Sequence, residues 1–199
     1  LRRIRKRGDN LVYSFVNRSL KINGQYVRDC KQMDCKEIDS DPILYCRVAQ
    51  KDDLADINQV ITDAVMIWPI AERAKRLILP VACYSENDFD YYKILLWIDN
   101  QQIVGVAIWD AKRPIETVKG YAKLLHGLYV APSSQGQGIG RALMAEVKAR
   151  VTASDACLDG LLVKAERVSI SFFEHCGLER ITILSMEEYP YQFWQPLQA

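Results

Sequence analysis

No apolar run in the chain approaches the ~20 residues that a membrane-spanning helix needs. Nothing in it resembles a secretory hydrophobic segment either. There is no dominant charge: 26 Lys and Arg stand against 25 Asp and Glu, a formal net of +1. That balance removes any global electrostatic case for nucleic acid or an anionic membrane. Histidine is scarce, with only His126 and His175 in 199 residues. Six cysteines are too few and too scattered, at Cys30, Cys35, Cys46, Cys83, Cys157 and Cys176, to form a disulfide scaffold in a chain of this length. Reduced thiols and a cytoplasmic location are the expectation. Cys30 and Cys35 have C-x4-C spacing with no matching second pair, so no metal site is expected. No repeat and no low-complexity tract interrupts the chain.

What is present is the composition of a globular protein, 49% hydrophobic and 26% charged. The length suits one domain with an appendage. Arg2, Arg3, Arg5, Lys6 and Arg7 make a local basic cluster, which reads as a flexible tail. Residues 11–28 read as β, with Asn23-Gly24 between apolar flanks as a two-residue hairpin signal. Residues 29–42 are a polar connector ending in Asp39-Ser40-Asp41-Pro42. The chain therefore divides into an extension, 1–42, with a β-hairpin, and a main unit, 43–199.

In the main unit a strand is predicted over 43–48. A helix from about Asp52 follows, carrying Leu54, Ile57, Val60, Ile61, Ala64 and Val65 near a 3.6 period. Trp68-Pro69 breaks it, and a second helical stretch covers 71–79. Strands over 93–98 and 103–109 form a meander, and further strands are predicted over 124–130, 160–164, 181–186 and 191–197. Helices are predicted from Gly138 to about Val151, and over 168–176, the latter stopped by Gly177. A meander first and βαβ later imply a mixed α/β sheet covered by helices.

The most informative stretch joins an apolar strand through Pro132 to Gln135-Gly136-Gln137-Gly138-Ile139-Gly140-Arg141, which opens a long amphipathic helix. Glycines let backbone N–H groups converge with no Cβ in the way. The first helical turn adds unpaired donors and the positive end of its dipole. Such a loop receives a phosphate or pyrophosphate, with Arg141 as countercharge. A P-loop would need Gly-Lys-Ser/Thr, which Gly140-Arg141-Ala142 denies. A dinucleotide fingerprint would need G-x-G-x-x-G, whereas the spacing here is G-x-G-x-G. The loop instead fits Q/R-x-x-G-x-G/A.

With that loop the sequence resembles the GNAT superfamily of N-acetyltransferases over roughly residues 43–190. The likeness is strongest over 124–178, where Phe172-Phe173-Glu174-His175-Cys176-Gly177-Leu178 is similar to the family's F-Y-E-x-x-G-F segment. The resemblance implies a mostly antiparallel sheet, splayed at the cofactor site, and acetyl-coenzyme A as cofactor. Its pyrophosphate would sit on Gln135, Gly136, Gln137, Gly138, Ile139, Gly140 and Arg141. Its pantetheine would pair with the bulged strand at Leu128, Tyr129 and Val130 and pass Phe173. The departures are Glu166, where many members have Asn, and Phe173, where many have the Tyr that protonates the leaving thiolate. Phe cannot donate that proton.

Acetyl transfer needs a base for the amine, a donor for the carbonyl oxygen and two reactants held in register. His126 lies on the strand matching the family's catalytic strand and is the candidate base; it also reads as a hydrogen-bonded core residue. His175, near a helix end, reads as structural. Trp68, Tyr91, Tyr92, Trp109, Tyr191, Phe193 and Trp194, with Glu86, Asp88, Asp90, Glu187 and Glu188, would suit an amine with an apolar body. The function expected is transfer of acetyl from acetyl-CoA to a primary amine of a small molecule or peptide, in a ternary complex. The alternative is a catalytically weak or inactive CoA-binding module. Neither membrane nor nucleic acid is an expected partner, although the basic start keeps a nucleic-acid reading open; a homodimer is compatible with the sequence.

Overall fold

The run Ile94-Leu95-Leu96-Trp97-Ile98 is apolar without interruption, and a strand of that kind has to be covered on both faces. The computed structural model, which describes residues 11–16, 19–21, 44–154, 157–181 and 191–197, shows how. Before it come strands β1 (Leu11–Val16), β2 (Ser19–Lys21) and β3 (Leu44–Val48) and helices α1 (Leu54–Met66) and α2 (Glu72–Ala82). The run itself lies in β4 (Tyr92–Asp99). Side chains alternate along a strand, so Ile94, Leu96 and Ile98 pack with Ile57, Val60, Ile61 and Val65 of α1. Leu95 and Trp97 join the opposite core.

That opposite core is built on the later elements: β5 (Gln102–Asp110), β6 (Ile115–Thr117), β7 (Gly120–Val130), α3 (Ile139–Ser154), β8 (Gly160–Ala165), α4 (Ile170–His175), β9 (Glu179–Ile181) and β10 (Tyr191–Pro196). Ile139, Leu143, Met144, Val147 and Val151 of α3 form a helical stripe on it. The strands run β2-β1-β3-β4-β5-β7-β8-β10-β9, with β6 on β7. Among these pairings only β7–β8 is parallel. This is the mixed, mostly antiparallel, helix-flanked sheet expected from the sequence.

Several local features depart from the sequence reading. β1 and β2 pair in register Val16↔Ser19, so their connection is residues 17–18. The expected turn at Asn23-Gly24 lies outside the described residues, as do the basic cluster, Cys30 and Cys35. β1 also pairs with β3, so the sheet continues across the expected extension boundary. The strand expected over 181–186 is described only as far as Ile181. The short β6 had no signal, because three residues carry no period. At the β4–β5 turn Asn100 and Gln101 both have positive φ (46° and 69°), the backbone of a type I′ hairpin. No helix among the described residues is long and apolar enough to cross a membrane.

Candidate active site

A bulge and a splay coincide at one residue. β5 and β7 pair Ile108 with Gly127 and Trp109 with Leu125, which leaves His126 as the extra residue of a β-bulge. On the other side, β7 and β8 part after Leu125↔Val163. β8 continues beside β10 through Lys164 and Ala165. Among the described residues, β7 thus has a strand partner on one edge only from His126 onward. The Ala131 N–H donates to Val104 O at 2.9 Å, so alternation turns the N–H groups of Leu128 and Val130 away from β5, toward the gap. The carbonyl of Val130 accepts from Gln135 Nε2 at 3.0 Å, which ties the start of the loop to the strand.

The loop then makes one 3-10 turn, Pro132–Ser134, and reaches two glycines in the left-handed region, Gly136 (φ 76°) and Gly138 (φ 85°). A Cβ added at either would meet nothing within 4 Å, so both face open space. α3 starts immediately afterwards, with its first N–H donors in the same space. Two close contacts fix the helix start. A Cβ on Gly105 of β5 would lie 2.9 Å from Ile139 and 3.0 Å from Leu143. One on Gly140 would lie 3.0 Å from the Phe172 ring of α4. Glycine at both positions lets α3 sit tightly on the sheet and against α4.

Strand, loop and helix start line a cleft of about 910 Å³. The candidate base and every cofactor-binding residue expected from the sequence line it except Gln137, whose Nε2 turns back to Ser133 O at 3.3 Å. Arg141 lines the cleft and lies near the Cys176 thiol. Burial raises the pKa of that thiol, and the Arg141 charge opposes the rise. Phe173 also lines the cleft but is 5% exposed, its ring 5.2 Å from Phe172 and 5.6 Å from Phe193.

The other half of the cleft is aromatic and acidic. His126 lines it with a side chain that is 27% exposed, so it is not a core residue. Its Nε2 lies 3.0 Å from Asp110 Oδ1, and its ring packs edge-on to Tyr92 at 4.6 Å. Tyr92 in turn packs edge-on to Tyr84 at 5.6 Å. Burial, then the nearby Tyr129, Tyr92, Asp88 and Asp110, push the Tyr84 phenol far above its ordinary pKa, so it stays a proton-bearing donor. Tyr92 is raised for the same first cause, with Asp110 and Asp88 adding to it.

This wall is only partly the one expected from the sequence. Trp68, Tyr92 and Asp88 do line it. Trp109, Phe193 and Trp194 are instead core, at 6%, 0% and 5% exposure. Tyr191 lies under the Arg180 guanidinium, and Tyr91 points to solvent. Glu187 and Glu188 lie outside the described residues. Tyr84 and Asp110 carried no motif: Asp110 meets His126 only through the sheet, and Tyr84, in the loop before β4, packs on Tyr92. No group of metal-ligating side chains occurs among the described residues.

Residues 90–180 match the model of the acetyltransferase (GNAT) domain family. That segment is similar to a GNAT acetyltransferase domain. The matched segment spans the bulged strand, the glycine loop and α4, which line one half of the cleft. The fold of the domain is similar to that of PaiA N-acetyltransferase from Thermoplasma acidophilum in complex with coenzyme A, at TM-score 0.62 and 13% identity, covering 77% of this chain and 98% of that one. It is also similar to a GNAT family acetyltransferase from Brucella melitensis in complex with acetyl-CoA (TM-score 0.53, 17% identity, 77% and 87% covered). A third similar fold is the ribosomal-protein-S18-alanine N-acetyltransferase from Escherichia coli (TM-score 0.51, 15% identity, 78% and 95% covered). No curated protein sequence matches the chain significantly.

Proposed function

We propose that this domain transfers an acetyl group from acetyl-CoA to a primary amine of a small molecule or peptide, by direct attack in a ternary complex. The observation that carries this reading is the meeting, in one cleft, of the unpaired edge of β7 with the positive-φ glycine loop at the start of α3. The open space over Gly136 and Gly138 fits a pyrophosphate, which the N–H groups of residues 135–141 would hold with Arg141 as countercharge. The N–H and C=O groups of Leu128 and the N–H of Val130 would pair with the pantetheine amides, with Tyr129 and Phe173 as further lining. Acetyl-CoA, when bound, supplies the acetyl group as an electrophilic thioester. One of these two N–H groups, of Leu128 or Val130, would instead receive the developing charge on the carbonyl oxygen, leaving the other for the pantetheine.

His126 would take the proton of the attacking amine, directly or through one water. The aromatic wall of Trp68, Tyr84 and Tyr92 suits an amine with an apolar body, and Asp88 suits its positive charge. A cytoplasmic setting belongs to the same reading, supported by the free thiols of Cys83 and Cys176. The test is thiol release from acetyl-CoA across a panel of arylalkylamines, diamines and peptide N-termini, with products checked by mass spectrometry. At least one amine should accelerate release and gain one acetyl group. Tight coenzyme A binding with no amine acetylated would favour the CoA-binding module instead.

Phe173 bears on that choice. With no proton donor at this ring, thiolate protonation falls to water or another group. If that step does not limit turnover, Phe173→Tyr changes kcat less than tenfold, about 1.4 kcal/mol in barrier. The added hydroxyl enters a ring cluster and costs about 1–3 kcal/mol of stability if it finds no partner, which thermal unfolding reads. A gain in kcat much above tenfold would mark the natural protein as impaired at this step.

A further inference from the structure

We propose that Asp110 is a positioning residue for the reaction: its carboxylate holds the proton on Nε2 of His126 and leaves Nδ1 as the basic nitrogen. The inference rests on the reading of His126 as the base. Asp110 ends β5, opposite Tyr92 at the start of β4. His126 is the extra residue of the bulge in β7, the strand on the other side of β5. These three residues from adjacent strands meet at one spot: Oδ1 of Asp110 lies 3.0 Å from Nε2, and the Tyr92 ring packs edge-on against the imidazole at 4.6 Å. The ring is therefore held both by a hydrogen bond and by packing. His126 lines the cleft and Asp110 does not, so Asp110 acts through the histidine rather than on the substrate.

A carboxylate only accepts, so the nitrogen facing it carries the hydrogen. In the neutral ring the lone pair is then on Nδ1, and the imidazolium formed after proton uptake stays paired with a negative charge. Cys83, Tyr84, Asp88 and Tyr129 are the other ionisable groups lining this half of the cleft. An asparagine at position 110 keeps the shape but offers an N–H donor, which can turn the imidazole to the opposite tautomer.

The experiment uses the full chain with acetyl-CoA and an amine identified by the thiol-release panel. Long-range ¹H–¹⁵N spectra of the imidazoles, with His126 assigned by its loss in His126→Gln, should show the Nε2–H tautomer in the natural protein. In Asp110→Asn that tautomer should shift toward Nδ1–H. kcat should fall at least about tenfold, a part of the loss that the same exchange causes in a serine-protease triad. Acetyl-CoA affinity should stay within about twofold, because Asp110 does not touch the cofactor half of the cleft. In the His126→Gln background the same exchange should change kcat by less than about threefold, the non-additivity expected of residues acting as a unit.

An Nδ1–H tautomer in the natural protein, an unmoved tautomer in Asp110→Asn, or equal losses in both backgrounds would overturn the inference. Full turnover in His126→Gln would remove the base reading itself. Loss in His126→Gln alone, with Asp110→Asn unaffected, would remove only the role of Asp110.

Discussion

Replacing Gly138 by Asp should lower coenzyme A affinity by about a hundredfold or more, roughly 2.8 kcal/mol, while the protein still folds. Gly138 sits at φ 85°, the left-handed region, where a residue with a Cβ costs about 1–2 kcal/mol. The added Cβ meets nothing within 4 Å, so there is no clash to unfold the domain. What fills that space is a carboxylate, set where the N–H groups at the start of α3 would hold a pyrophosphate. Like charge then opposes the ligand, and the carboxylate itself competes for the helix N-terminus. Gly138→Ala separates the two effects, because it carries the backbone strain without the charge and should lose much less affinity. Calorimetry with coenzyme A reads both variants, with circular dichroism as the folding control. Unchanged affinity in a folded Gly138→Asp protein would remove the loop as the pyrophosphate site, and most of the proposed function with it.

His126→Gln should lower turnover by ~10²–10⁴, the usual contribution of a positioned general base, and leave coenzyme A affinity nearly unchanged. The histidine lies on the bulge where β7 loses its second neighbour, so its side chain reaches the cleft while its strand stays paired with β5. Glutamine keeps polarity and approximate size but has no basic nitrogen. The limb of the pH–rate profile that reports protonation of the base should flatten in the variant. The amine also titrates, so both proteins must be compared with the same acceptor. Retention of both turnover and that limb would assign proton removal to water or another residue.

The glycine-loop half of the cleft was legible in the sequence because it is nearly contiguous. A strand, Pro132, the run from Gln135 to Arg141 and the following helix carry their geometry in local rules. Glycine is needed where φ is positive, and a helix start presents free donors. The paired cores were equally readable: the unbroken run in β4 requires cover on two sides, and the periods of α1 and α3 supply it. Aromatic residues were the poor guide. Trp109, Phe193 and Trp194 look like site residues by type, yet their strand positions point them into the core. Residue type does not record which face of a strand a side chain takes once a bulge has shifted the register.

Local chemistry along the chain settles the order of the longer elements, the two-sided burial of the central strands and the glycine loop at the start of α3, because each depends on neighbours within a few residues. Long-range pairing decides the rest. The parting of β7 from β8 after Leu125 depends on where β8 leaves to follow β10. The meeting of His126, Asp110, Tyr92 and Tyr84 depends on a bulge in one strand and the registers of two others. The two contacts of His126 join residues 16 and 34 positions apart in the chain, and no period or motif in one segment encodes the position of the other.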